Sequence, residues 1–149
     1  MIVRKAQHSD MDFMIEELKL FSASYSTEYS LFPTDTDRAK ELLKSFIDNH
    51  VVFVSSKEDG ELTGFIAGLL TPHYFNPELI TLTELFWWVK EEHRNTRAGA
   101  TLYKAFLDAG KEMANWIVFS LKTGSPVKEE FFYKQNYKMT DRSFLLEVI

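Results

Sequence analysis

The stretch from Leu79 to Val89, LITLTELFWWV, constrains the fold more than any other part of the chain. β-Branched and aromatic residues fill it and no Gly or Pro interrupts it, so it reads as one long strand. A polar loop, Lys90 to Thr96, follows. Arg97 to Met113 then places Leu102, Phe106, Ala109 and Met113 at helical spacing. Upstream lie two more strand runs, Val51 to Ser55 and Leu62 to Leu70, joined by the turn signal Lys57-Glu58-Asp59-Gly60. Gly64 and Gly68 inside the second run predict a bulge or a close backbone approach. Consecutive strands without a helix between them break strict β-α alternation, which excludes a doubly wound sheet.

The remaining elements follow from the same periodicities. Ile2 to Ala6 reads as a short strand. Ser9 and Asp10 offer a helix N-cap, and Met14, Leu18, Phe21 and Tyr25 continue at helical spacing. A second helix is expected over about Thr36 to Asp48, with Ala39, Leu42, Leu43, Phe46 and Ile47 on its apolar face. Trp116 to Leu121 reads as a strand, Lys122 to Pro126 as a loop and Val127 to Gln135 as a short helix stopped by Asn136. Tyr137 to Val148 is expected to form a last strand. The order β-α-α-β-β-β-α-β-α-β describes one α/β domain, residues 1–149, around a mixed sheet.

Composition removes several classes of function. The chain has no Cys, so disulfide scaffolds, thiolate metal sites and Cys nucleophiles are excluded. Its four histidines, His8, His50, His73 and His93, are widely spaced and do not form HExxH, and no metal site is expected from them. The usual Gly-rich nucleotide loops and the GxSxG elbow are absent. A net charge of −5 argues against nucleic acid as a direct partner. No apolar run reaches the roughly 20 residues a membrane helix needs. The N-terminus reads as a strand rather than a signal peptide, so a cytoplasmic location is expected.

The chemistry concentrates in ELFWWVKEEHRNTRAGATLYKAF, Glu84 to Phe106. A strand ends at Val89 and a helix opens near Arg97-Ala98-Gly99-Ala100. The first turn of a helix leaves backbone N–H groups unpaired, and the macrodipole adds partial positive charge there. Small residues let an anion come close. Arg94, Asn95, Thr96, Arg97, Ala98, Gly99 and Ala100 together would suit a pyrophosphate. The same residues also read as an ordinary helix start with two solvated arginines.

This segment resembles the acetyl-CoA motif of the GNAT superfamily of N-acetyltransferases. In that motif a strand ends in an aromatic or aliphatic residue and Val. Gln or Arg comes five residues later, then two residues, Gly, one residue, and Gly or Ala. Here Arg94 follows Val89 at that spacing and Gly99 takes the final small position. IVRKAQHSDMDFMIEEL is similar to the family's first strand and helix, the hairpin at Gly60 with LTGFIAGLL to its second and third strands, and FFYKQNYKM to its late helix and turn. The wording ELFWWV…EHR also resembles small acetyltransferases of tailed phages. Three positions depart from the pattern: Arg97 replaces the first loop Gly, Phe132 stands where a Tyr often protonates the leaving thiolate, and Ser125 stands near the place of an Asn that often contacts CoA.

The resemblance implies a mostly antiparallel mixed sheet and acetyl transfer from acetyl-CoA, as cosubstrate, to an amine, small molecule or protein. Without Cys, direct attack in a ternary complex is the natural form. Glu84, mid-strand among apolar neighbours, is the candidate base, directly or through a water; it also reads as a sheet carboxylate bonded to a neighbouring strand. The backbone N–H of Val89 would polarise the thioester carbonyl. Strand alternation places Phe86 and Trp88 on the Glu84 face, walling the acceptor cleft, and Trp87 on the other. Tyr133 ranks ahead of Tyr103 and Tyr137 as the acid. Tyr25, Glu28, Tyr29, Phe32, Asp35 and Asp37 would line a site for a cationic amine, or form a solvated loop with a few buried rings. The alternatives are a CoA-binding module without turnover and an acidic protein-interaction domain; a homodimer is compatible with either fold use.

Overall fold

A computed structural model describes residues 1–24 and 31–148. Its strands β1 (Ile2–Lys5), β2 (Val51–Ser56), β3 (Leu62–Pro72), β4 (Ile80–Val89) and β5 (Trp116–Val118) form one sheet in sequential order. The first three pairings are antiparallel and the last, β4 with β5, is parallel. The helices are α1 (Met11–Ala23), α2 (Thr36–Asn49), α3 (Ala98–Met113) and α4 (Glu129–Lys134), with 3-10 turns at His8–Asp10 and Glu91–His93. No described helix is long and apolar enough to cross a membrane.

Both faces of the sheet are covered, which the continuous apolar reading of β2 and β3 requires. On one face, Met14, Leu18, Ala39, Leu43 and Phe46 of α1 and α2 pack on Val52, Val54, Phe65 and Ala67. On the other, Leu102 and Phe106 of α3 pack on Val51, Ile66 and Leu82. Neighbouring residues such as Val51 and Val52 thus serve opposite cores, as the period of two dictates. Buried Asp10 ties β1 to the start of α1: both its oxygens accept from the Arg4 guanidinium, at 2.7 and 2.8 Å, and one also accepts from the Gln7 N–H at 2.8 Å. Asp35 caps α2, accepting from the Asp37 and Arg38 N–H groups.

The fold departs from the sequence reading at its C-terminal end. The expected strand Tyr137 to Val148 is absent; these residues carry no regular structure. Phe144, Leu145 and Leu146 are consecutive apolar residues, so a strand there would have no single face to bury, and all three are exposed. β5 ends at Val118 instead of Leu121, and α4 starts at Glu129 instead of Val127. Asn136 does stop α4, with a left-handed φ of 64°.

The bulge expected from Gly64 and Gly68 lies between Ala67 and Gly68 of β3. Ala67 faces Phe86 and Gly68 faces Glu84, which leaves Leu85 as the extra residue on β4. A Cβ on Gly68 would lie 2.5 Å from Phe106 Cζ and 2.8 Å from the Thr83 carbonyl, so only glycine fits.

Candidate active site

β4 and β5 pair over only Thr81–Thr83 and Trp116–Val118. Beyond that point the strands part, and β4 runs on to Val89 with its outer edge unpaired by β5. A cleft of about 530 Å³ occupies the gap. Its walls are Glu84, Trp87, Trp88 and Val89 of β4, residues 119–127 after β5, Phe132 of α4, and Phe21 and Ser24 at the end of α1. Arg94 and Gly99 close the end near α3.

The register of β4 decides what its free edge offers. Val89 faces Gly64, while the Lys90 N–H donates to the Thr63 carbonyl at 2.9 Å. That is the pattern of a non-hydrogen-bonded pair, so the N–H and C=O of Val89 point away from β3 and toward the cleft. Trp87, two residues earlier, faces Ile66 in the same phase. The Val89 carbonyl accepts from Arg94 Nε at 3.1 Å. The N–H groups of Trp87 and Val89 are donors aimed into the gap.

Glu84 lies where the strands begin to part and is only 8% exposed. Burial pushes its carboxyl up to about 7, against the opposing pull of the Ser120 backbone N–H, which donates to it, and of the Lys122 charge. Alternation placed it with Phe86 and Trp88, and the bulge overturns that assignment. Glu84 faces Gly68, whose missing Cβ points at Phe106 of α3, so Glu84 belongs to the α3 face. Leu85, Phe86 and Trp88 pack toward the α1–α2 core, and Trp87 toward α3. One inserted residue has moved the carboxyl to the face of Trp87.

At the opposite end, the 3-10 turn and the following bends lead into α3 with Arg97 as its N-cap residue. The Ala98 N–H donates to Thr96 Oγ1 at 3.2 Å, and the first intrahelical bond runs from the Thr101 N–H to the Arg97 carbonyl. Gly99 and Ala100 precede that bond, in the turn whose N–H groups point out of the helix end. Arg94, Asn95, Thr96, Arg97 and Ala100 are exposed around this end, while Ala98 is buried beneath it. Of the expected cofactor residues, Trp88, Val89, Arg94, Gly99 and Ser125 line the cleft itself. Asn95, Thr96, Arg97, Ala98 and Ala100 form the adjoining helix start. The outward N–H groups of β4, the cationic Arg94 and the small-residue helix start offer donors and positive charge suited to an extended, anionic ligand.

Other expected residues lie elsewhere. Tyr133 is half exposed and does not line the cleft; Phe132 takes that place, because one step along a helix turns a side chain by about 100°. Tyr103 and Tyr137 share a hydrogen bond, Oη to Oη at 3.1 Å, behind the cleft wall. Burial, then the bond from Tyr103, raises the Tyr137 phenol above its ordinary value. Phe32 is in the core, Asp35 is a helix cap and Asp37 is exposed in the first turn of α2. The acidic, aromatic acceptor lining is therefore not formed by these three; Tyr25, Glu28 and Tyr29 lie outside the described residues. The wall from Phe119 to Val127, with Ser120 and Lys122 beside Glu84, was anticipated only at Ser125, and Phe21 and Ser24 of the α1 end were not singled out as lining residues. The small, turn-forming run Lys122-Thr123-Gly124-Ser125-Pro126 was the available signal for a wall free of regular structure.

A family model described as Acetyltransferase (GNAT) family matches residues 16–135. A comparison with curated protein sequences found no match. Among solved structures, the chain is similar to an acetyltransferase from Trypanosoma brucei at 13% identity and TM-score 0.74, covering 99% of each chain. It is similar to a ribosomal-protein-alanine N-acetyltransferase from Brucella melitensis at 17% identity and TM-score 0.73, covering 99% of this chain and 98% of that one. It is also similar to an acetyl transferase from Pyrococcus furiosus, described as putative, at 22% identity and TM-score 0.66, covering 99% and 98%. At these identities the likeness is one of fold.

Proposed function

Because this chain belongs to the GNAT acetyltransferase family, we propose that it moves an acetyl group from acetyl-CoA to a primary amine, of a small molecule or a protein, by direct transfer in a ternary complex. The observation that carries the reading is the meeting, in one cleft, of a buried carboxyl held near neutral pKa with the outward N–H of Val89. Acetyl-CoA supplies the activated acetyl thioester. Arg94 and the start of α3, from Arg97 to Ala100, hold its pyrophosphate. The N–H of Val89 donates to the thioester carbonyl and stabilises the negative charge that grows on its oxygen. Glu84, directly or through one water, takes the proton that a protonated amine must lose before it attacks. A carboxyl with a pKa of about 7 is well matched to this task, being ionised in a useful fraction at neutral pH while still basic.

Phe132 lines the cleft and Tyr133 does not, so the proton for the departing thiolate comes from a source other than Tyr133. Solvent at the open cleft is the proposed source. The wording of β4 and its following loop further supports kinship with the small acetyltransferases of tailed phages.

The test follows the release of CoA thiol with a panel of amines. Wild-type turnover is expected to rise with pH through an apparent pKa near 7. Glu84→Gln is expected to lose that limb and about 10²- to 10⁴-fold in kcat. A Glu84→Gln variant with an unchanged limb and rate would remove Glu84 from the base role. Acetyl-CoA binding without turnover on any amine would leave a CoA-binding module.

A further inference from the structure

Glu17 is a buried carboxylate that the acyl-transfer reading leaves without a task. It lies on α1, is 7% exposed, and accepts a hydrogen bond from Trp88 Nε1 at 2.7 Å. Trp88 is also braced edge-on by Phe21, with ring centroids 5.9 Å apart and planes at 87°. On the ring face lies Arg94, its guanidinium carbon 4.6 Å from the ring centroid. Arg94 Nε is in turn held by the Val89 carbonyl at 3.1 Å. One unbroken line of contacts therefore runs from α1, through β4, to the cation at the helix end of the cleft.

We propose that Glu17 is a positioning residue that acts on Arg94 through Trp88. The proposal rests on the acetyl-CoA reading above. An indole tethered by its N–H cannot flip or tilt without taking that hydrogen bond from a buried carboxylate, which is costly. The tether thereby fixes the plane on which the guanidinium lies. A carboxylate accepting the indole N–H also pushes electron density toward the ring, which strengthens its hold on a cation above its face. With Nε used by Val89 and one face resting on the indole, the terminal nitrogens of Arg94 are the donors left to meet phosphate oxygens bidentately. The consequence is that α1, whose end lines the same cleft, is physically joined through Trp88 to the cation proposed to hold phosphate.

A double-mutant cycle with the full chain tests this, reading the dissociation constant of acetyl-CoA by calorimetry. Glu17→Leu is expected to weaken binding by roughly tenfold when Arg94 is present. In an Arg94→Ala background the same change is expected to do almost nothing. Glu17→Gln, whose amide oxygen also accepts from the indole N–H, is expected to restore most of the affinity. An equal loss in both backgrounds would mean that Glu17 merely supports the fold, and would overturn the proposal while leaving the acetyl-CoA reading intact. No binding by the wild type would end both. If Glu17→Leu does not fold, Trp88→Phe deletes the same hydrogen bond from the other side, keeps a ring beneath Arg94, and is expected to show the same dependence on Arg94.

Discussion

At the scale of single residues, the burial of Glu84 has a consequence for stability. Its folded pKa, about 7, lies above the ordinary value of 4.5. In that window the folded protein keeps a proton that the unfolded chain has released. The carboxyl's contribution is fully present below about pH 4.5 and is lost as pH rises through 7. At pH 8 the folded state carries the full cost of an ionised, buried carboxylate. Glu84→Gln is therefore expected to stabilise the domain at pH 8 by on the order of 2–3 kcal/mol and to change little at pH 4.5, a difference that urea unfolding at the two pH values would measure. Equal effects at both would mean that the carboxyl is not held protonated by its surroundings. With Glu84 in the proposed base role, activity and stability pull in opposite directions at this position.

At the scale of elements, the bulge at Leu85 is the feature that makes the site. Without it Glu84 would share a face with Phe86 and Trp88 and point into the α1–α2 core. With it, the carboxyl turns to the α3 face, where β5 has left and Ser120 and Lys122 stand beside it. Gly68 permits the arrangement by letting Phe106 and the Thr83 carbonyl approach. Gly68→Ala is expected to cost about 1–3 kcal/mol, through overpacking against an aromatic ring and a backbone atom, and to lower the melting temperature accordingly. An unchanged melting temperature would mean that this packing relaxes freely. The positions of β2, β3, β4, α2 and α3 were legible within a residue or two, because their apolar periods are long and regular. The bulge was legible as a possibility, from Gly68, but its effect on facing was not. A period of two carries no mark of the residue at which it skips. The segment from Tyr137 to Val148 misled for a related reason: β-prone composition without alternation has no face to bury. The loop character of Lys122 to Pro126 was legible, but its role as a wall depends on where β5 parts from β4, which is a tertiary event.

At the scale of the whole molecule, α3 covers the sheet on one side and α1 and α2 on the other, and its parallel pair splits beyond Thr83. That split exposes backbone donors of β4 that a continuous sheet would have used internally. It also sets the buried carboxyl at one end of a cleft of about 530 Å³ and the start of α3 with Arg94 at the other. The strand–loop–helix from Glu84 to Ala109 was readable in sequence as a strand, a polar loop and a helix start, and the structure assembles it with α1, the segment after β5 and α4, of which the resemblance had linked Ser125, Phe132 and Tyr133 to the site. In the proposed function, acetyl-CoA lies along the free edge of β4, with its phosphates at Arg94 and the helix start. The most direct measurement is thermal unfolding with and without acetyl-CoA. At about 100 times its dissociation constant, a ligand of the folded state adds about 2.7 kcal/mol, which for a domain of this size raises the melting temperature by roughly 5–10 °C. That rise is expected in the wild type, and a clearly smaller one in Arg94→Ala at the same ligand concentration. No rise at millimolar acetyl-CoA, or an equal rise in both proteins, would contradict that placement.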